Sequence, residues 1–229
     1  MQHKTYFNWS SGKDSAMALH QLLKHETYEV HHLLTAVNTH HNRVSMHGVR
    51  RELLEQQLNA IGIDHSTIEL PEQPTNHQYE ELMLETVTRL KGSGFTHAAF
   101  GDIFLDDLRK YREQQLQPHG ITAVFPLWKQ DTLSLMNEFI AQGFKAIVVC
   151  VNASLLPEAF AGRMLDRDFI NALPAGIDPC GENGEFHTFC FDGPLFKQPV
   201  NFQKGETVYK EYHHNGETSC FWFTDLLPG

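Results

Sequence analysis

Two short stretches of the chain carry residues whose types and spacing point to chemistry. Ser10-Ser11-Gly12-Lys13-Asp14-Ser15 lies between an apolar-leaning run, Thr5 to Trp9, and a run with helical apolar spacing, Ala16 to Leu23. A strand, a small-residue loop and a helix in that order gather free backbone N–H groups and the positive end of a helix dipole at one point, which suits an anion such as a phosphate. Gly12 allows close backbone approach, the serine hydroxyls can donate hydrogen bonds, and Lys13 adds a point charge. Asp14 is unusual beside an anion and points to a helix cap or a magnesium contact. A capped turn with no ligand accounts for the same six residues equally well. The second stretch, Gly176 to Phe196, sets glycines, prolines and acids around a short β segment. Glu182 and Glu185 could present two carboxylates to one cavity, to hold magnesium, bind an ammonium or act as a base. By composition alone, a turn-rich β segment with solvated acids is the plainer account.

The elements that must position these residues follow from periodicity. Strands are expected at Thr5–Trp9, Val30–Val37, Thr67–Leu70 and His97–Phe100, with an extended piece at Val124–Trp128. Helical faces recur at Val49–Ile61, Tyr79–Leu90 and Leu105–Leu116, the first two stopped by Gly62 and by Gly92 with Gly94. Asn38 to Ser45 reads as a loop. Strands alternating with helices predict a parallel sheet, whose ligands bind outside the strand carboxyl ends. The first loop, the segment after Val37 and Gly101-Asp102 all fall there. Asp102 is therefore a candidate for the crevice, or else a helix cap. Past Trp128 come a helix over Leu133–Ile140, a buried strand at Ala146–Val151, and three β segments, Phe186–Phe191, Thr207–Tyr212 and Thr218–Thr224, with His214-Asn215-Gly216-Glu217 as a hairpin turn. The fold class is α/β: a parallel-sheet, Rossmann-like lobe at 1–128 and a smaller α+β lobe at 129–229.

Composition narrows the function. A net charge of −10 opposes general nucleic-acid affinity. No run approaches a membrane helix, and Met-Gln-His-Lys-Thr lacks a signal-peptide core. Cys150, Cys180, Cys190 and Cys220 are widely spaced, which argues against a zinc ribbon or a paired-thiol sulfur carrier and fits buried thiols in a cytoplasmic protein. Fifteen histidines do not converge on a metal pattern. Homo-oligomerisation is compatible with all of this.

The first loop resembles the SGGxDS signature of the PP-loop ATP pyrophosphatases, with Ser11 where that family usually has glycine. A Cβ there disfavours positive φ, although a small side chain can fit and would face the phosphates. The second stretch resembles the CGENGEYxT…DGPLF signature of the diphthine–ammonia ligases, a branch of the same superfamily. Gly101 with Asp106, Arg109 and Glu113, Pro126-Leu127-Trp128 and Gly143 to Ile147 also match, so the resemblance runs from Phe7 to Phe196. Besides Ser11, it departs at His187.

The resemblance implies an HUP-type nucleotide-binding fold and an AMP-forming amide ligase that uses ATP, Mg2+ and ammonia. A carboxylate, on a protein side chain or a small metabolite, would attack the α-phosphate, and ammonia would displace AMP. In the diphthine–ammonia ligases the acceptor is diphthine, a modified histidine of elongation factor 2. The implied nucleotide-binding residues are Ser10, Ser11, Gly12, Asp14, Ser15, Gly101 and Asp102. Lys13, Asp14, Glu182 and Glu185 are the implied catalytic residues, with Asp14 also a magnesium contact. Arg109 and Arg112 either meet an anionic substrate or pair with Glu113, the pairing being preferred for Arg112. A PP-loop enzyme acting on tRNA and a non-catalytic adenine-nucleotide sensor are the alternatives.

Overall fold

The computed structural model describes residues 2–214 and 217–229. The first lobe opens with β1 (His3–Asn8), whose middle residues Thr5, Tyr6 and Phe7 are fully buried. Helix α1 (Lys13–Leu23) follows, then β2 (Tyr28–Asn38), the two-residue β3 (Arg43–Val44), α2 (Arg51–Ile61) and β4 (His65–Leu70). Next come α3 (Asn76–Gly92), β5 (His97–Ala99), α4 (Asp106–Leu116) and β6 (Thr122–Val124). Local chemistry sets several of these boundaries. Gly62 closes α2 in the left-handed conformation at φ +76, its N–H bonded to the Leu58 carbonyl. Thr75 and Gln78 open α3 with a reciprocal capping box.

The parallel strands lie in the order β4-β2-β1-β5-β6, the Rossmann arrangement. The chain winds outward in opposite directions from β1 and β5. A crevice therefore opens at their carboxyl ends, where Asn8 Nδ2 donates to the Ala99 carbonyl at 3.2 Å.

The second lobe contributes α5 (Thr132–Ala141), β7 (Lys145–Asn152), the short α6 (Arg167–Ala172), β8 (Phe186–Asp192), β9 (Phe202–His214) and β10 (Glu217–Pro228). Its strands form an antiparallel sheet ordered β8-β7-β10-β9. The expected class, a parallel Rossmann-like lobe followed by a smaller α+β lobe, is the class found.

One face of the first sheet packs on α3 and α4 through Tyr6, Leu34, Val87, Leu90 and Leu116. The other face shares a single apolar cluster with α1, α2, α5 and the second sheet, running from Phe7 and Trp9 through Leu19, Leu53 and Leu54 to Phe139, Ile147 and Phe189. The two sheets thus clasp α1 and α2 between them. That presses β8 against the loop that precedes α1.

Two local expectations are corrected. The segment read as a loop from Asn38 to Ser45 contains β3, which pairs antiparallel with Val37 and Asn38 of β2. Asn42, at φ +52, supplies the left-handed residue that turns the chain back. The extended piece expected at Val124–Trp128 ends as a strand at Val124 and becomes a turn, closed by Trp128 N donating to the Phe125 carbonyl at 3.1 Å. Pro126 has no N–H to offer a sheet ladder. The Asn215-Gly216 turn lies outside the described residues.

Candidate active site

The loop after β1 is built as a rigid cradle. Trp9 Nε1 donates to Gln57 Oε1 at 2.7 Å, and the fully buried Gln57 donates in turn to the Ser11 carbonyl at 3.0 Å. Cys190 N, on β8, donates to the same carbonyl at 2.9 Å. These two bonds hold Ser11 at φ +71, a conformation that costs a residue with a Cβ about 1–2 kcal/mol. The Ser11 hydroxyl is buried and has no hydrogen-bond partner. Ser10 Oγ lies 2.7 Å from Ser15 Oγ, which also accepts from Ser10 N at 3.1 Å, so the loop closes on itself.

Two glycines let backbone approach backbone. A Cβ on Gly12 would come within 3.0 Å of His47 Nε2 and 3.2 Å of the Thr188 carbonyl oxygen. One on Gly101 would meet Asp14 C and Ser15 N at 3.1 Å. Gly101 thereby sets the end of β5 against the first turn of α1. The N-cap of α1 is Gly12, which has no side chain to satisfy the first N–H groups; one of them, Lys13 N, donates to Thr188 Oγ1 at 3.0 Å.

Lys13 turns inward. It is only 3% exposed, and its ammonium donates to both oxygens of Asp14, at 2.8 and 2.7 Å, and to the Cys180 carbonyl. Burial is the largest single influence and works against its charge, but Asp14, Cys180 and Glu182 together outweigh it and hold its pKa above the ordinary lysine value. Burial raises the Asp14 pKa, against the pull of Lys13.

The acidic loop of the second lobe is wound around Asp178, whose Oδ2 accepts from Cys180 N and Glu182 N, each at 3.0 Å. Gly181, at φ +71, leaves no room for a Cβ, because Phe186 O would lie 2.9 Å away. So wound, the loop carries Glu182 across to the first lobe, where Oε1 accepts from Ile103 N at 2.7 Å and Phe104 N at 3.4 Å. Burial pushes the Glu182 carboxyl up to about 7, partly offset by the Ile103 N–H and reinforced by Asp14 and Asp102. Glu185 is 2% exposed. Its Oε1 accepts from Asp178 N at 3.0 Å and Asn183 Nδ2 at 3.1 Å, while its buried Oε2 has no partner.

Asp102 sits at the end of β5 and pairs with Arg112, with Nε to Oδ2 at 2.9 Å and Nη2 to Oδ1 at 3.1 Å. It is not a helix cap, since the residue at the N-cap of α4 is Leu105. The pairing with Glu113 preferred for Arg112 falls instead to Arg109. Arg109 takes Glu113, one turn along α4 at 2.7 Å, while Arg112 reaches Asp102 over the Phe100 ring.

The structure thus gathers Ser10 to Ser15, Gly101 and Asp102 at one sheet edge, with Glu182 bonded to that edge and Lys13 bonded to the acidic loop. Sequence reasoning passed over Gln57 and His47, and gave no role to Asp178 and Thr188 within the second stretch. His187 was noticed only as a departure from a motif. The His47 and His187 rings face each other with centroids 4.8 Å apart. Burial lowers the basicity of both, His47 well below an ordinary imidazole and His187 to about 4. Cys150, Cys180 and Cys190 are buried free thiols, and burial drives all three pKa values upward. Among the described residues, no group of three or more His, Cys, Asp or Glu side chains is placed to hold a metal ion. No helix there is long and apolar enough to cross a membrane.

A Rossmann-ordered sheet with a glycine-bearing strand–loop–helix turn at its switch point defines a nucleotide-binding α/β protein, here with a second lobe closed on the loop. Residues 3–122 match the family model of the diphthamide synthase N-terminal domain, and residues 131–219 match that of the C-terminal domain. The chain belongs to this diphthamide synthase family. It is similar to the diphthine–ammonia ligase of Danio rerio, 30% identical over 146 residues, covering 59% of this chain and 55% of the relative. The enzyme of that name from Schizosaccharomyces pombe is 31% identical over 106 residues, 44% of this chain and 17% of its own length. The human one is 33% identical over 87 residues, 36% of this chain and 33% of its own. The chain thus aligns with about half or less of the length of these relatives.

Proposed function

We propose that this protein is an ATP-dependent amide ligase of the diphthine–ammonia ligase type, which forms AMP and pyrophosphate. The observation that carries the reading is the pair of cross-lobe links: Glu182 to the backbone after Asp102, and Lys13 to the Cys180 carbonyl. They support a reading in which the Glu182 loop of the second lobe lies beside the glycine loop at the sheet's switch point, the arrangement needed to hold an acceptor against a bound nucleotide.

In this reading residues 1–128 hold ATP and 129–229 the acceptor. Ser10, Ser11, Gly12, Ser15 and the α1 N-terminus receive the phosphates, and Gly101 with Asp102 lines the crevice beside them. The unpartnered Ser11 hydroxyl and the close approach permitted by Gly12 and Gly101 fit an anionic group at this point. Lys13 ties helix to acidic loop and acts through its charge. Among the described residues none form a magnesium cage of their own. Asp14, at the start of α1, is the carboxylate we assign to an ion carried on the phosphates, which such an ion would help to neutralise.

The acceptor carboxylate attacks the α-phosphorus and pyrophosphate leaves. The unpartnered Oε2 of Glu185 accepts an N–H of ammonia, which attacks the acyl carbon, and the C–O bond to AMP breaks. Glu182, with a pKa of about 7, takes the released proton. Burial raises the pKa of the Cys180 and Cys190 thiols, which works against sulfur transfer to a tRNA base by these two cysteines.

The test is product analysis with ATP, ammonium and elongation factor 2 bearing diphthine, alongside small carboxylates. AMP, pyrophosphate and a new amide are expected, in an ammonium-dependent reaction. ADP as the sole nucleotide product would refute the reading, and tight ATP binding with no turnover under any condition would favour a sensor.

A further inference from the structure

A polyanion leaving the α-phosphate must be met by hydrogen-bond donors already aimed at it. The loop's lysine is committed elsewhere, all three ammonium protons being taken by Asp14 and Cys180. The nearby arginines are committed too: Arg43 and Arg50 to Asp225, and Arg112 to Asp102. That leaves backbone N–H groups and the loop's serine hydroxyls, which are neutral donors, to meet the charge of pyrophosphate.

The two imidazoles at the seam are further donors beside the serine hydroxyls of the loop. His47 Nδ1 is buried with no well-aligned partner, the Ser45 backbone being close to the ring, and Nε2 of the same ring lies against Gly12 of the loop. His187, from β8, faces His47 at 4.8 Å and is followed by Thr188, which bonds the first N–H of α1. Each lobe supplies one ring, so the pair exists only where the lobes close on the loop.

The backbone that presents His47 is strained. Met46, φ +66, and Gly48, φ +69, are both left-handed, and the Met46 side chain is 73% exposed, so its own packing does not repay the strain. Gly48 is held there by Arg43, which donates to its carbonyl at 2.7 Å, and by its own N–H to the Val44 carbonyl at 3.0 Å.

We propose that His47 and His187 form a clamp for the β- and γ-phosphates of the nucleotide, each donating a ring N–H to a phosphate oxygen and retaining it as pyrophosphate departs. The proposal rests on the adenylation reading above. Depressed basicity suits the role, because neutral rings can sit near Lys13 and still donate.

Calorimetric titration of the full chain with ATP, AMP and inorganic pyrophosphate tests it. His47→Ala and His187→Ala are each expected to raise the Kd of ATP and of pyrophosphate about tenfold, the scale of one charge-assisted hydrogen bond, and to leave AMP unchanged. His47→Asn and His187→Gln each keep an amide N–H donor and are expected to restore most of the ATP-to-AMP preference. Equal weakening of ATP and AMP would mean that the rings only pack, and would overturn the clamp. Wild-type affinity for ATP in both alanine variants would overturn it as well, while leaving the ligase reading standing. A wild-type chain that binds none of the three ligands would overturn both. If His47→Ala does not fold, as judged by circular dichroism, His47→Asn and His187→Ala decide by the same ATP-to-AMP ratio.

Discussion

Two carboxylates of the second lobe reach across to the first, and they are held in opposite ways. Asp225, on β10, accepts from Arg43 at 2.8 Å and from Arg50 at 2.6 and 3.1 Å. Burial would raise its pKa, but the two guanidinium groups overcome that and hold it down at about 2. Glu182 meets no cation directly. It takes backbone N–H groups of Ile103 and Phe104 in a setting that pushes it up to about 7. The Asp225 link stays charged well below neutral pH and serves as a bolt. The other stands ready to exchange a proton, and it lies beside the candidate nucleotide loop. A carboxylate with two arginines is thus the weaker candidate for chemistry, however strong its contacts.

The comparison is broken most directly by Glu182→Gln. Shape is kept and the exchangeable proton is lost, so amide formation should fall by about 10²-fold or more, the usual weight of a general base. ATP affinity should be unchanged. Amide formation within a few-fold of wild type would reduce Glu182 to a second bolt.

A pH series sharpens the contrast. The folded pKa of Glu182 lies above its ordinary value of 4.5, so the folded state binds the proton more tightly. Its contribution is fully present below about pH 4.5 and is lost as pH rises through 7, a loss of up to about 3 kcal/mol. Urea unfolding at pH 5 and pH 8 should show that decline in the wild type and not in Glu182→Gln.

Asp225 carries the opposite sign. Its folded pKa is depressed from 3.8 to about 2, so its stabilisation is present above pH 4 and disappears as pH falls towards 2. Asp225→Asn should cost about 1–2 kcal/mol near neutrality, discounted for partial exposure, and leave the turnover of bound ATP within about twofold. A large loss of turnover with little loss of stability would reverse the two assignments.

The smallest effect is expected at Ser11. Ser11→Gly removes the strain at φ +71 and should stabilise the fold by about 1 kcal/mol, read as a rise in Tm of a few degrees. A lower Tm would mean that the buried hydroxyl finds a partner in solution.

Much of the scaffold was legible before any coordinates. Alternating apolar runs marked β1, β2, β4 and β5 and the helices between them, because a parallel strand buried on both faces and a helix buried on one have different periods. The loop Ser10–Ser15 stood out through its small residues between a strand and a helix. The short β3 and the turn after Val124 did not, because two-residue pairings and proline-terminated strands leave too few positions for a period to register.

The sequence by itself determined the order of strands and helices, the position of the glycine loop at a strand carboxyl end, and the family, because these depend on local spacing and on motifs read along the chain. Tertiary structure alone decided which charges are free. Lys13 turns from an expected phosphate contact to Asp14 and Cys180, Arg112 leaves Glu113 for Asp102, and His47 meets His187 across the seam. These outcomes depend on how the second sheet closes on α1 and α2. Burial and opposing charge in that seam, rather than residue type, set which side chains keep a proton or donor to spare.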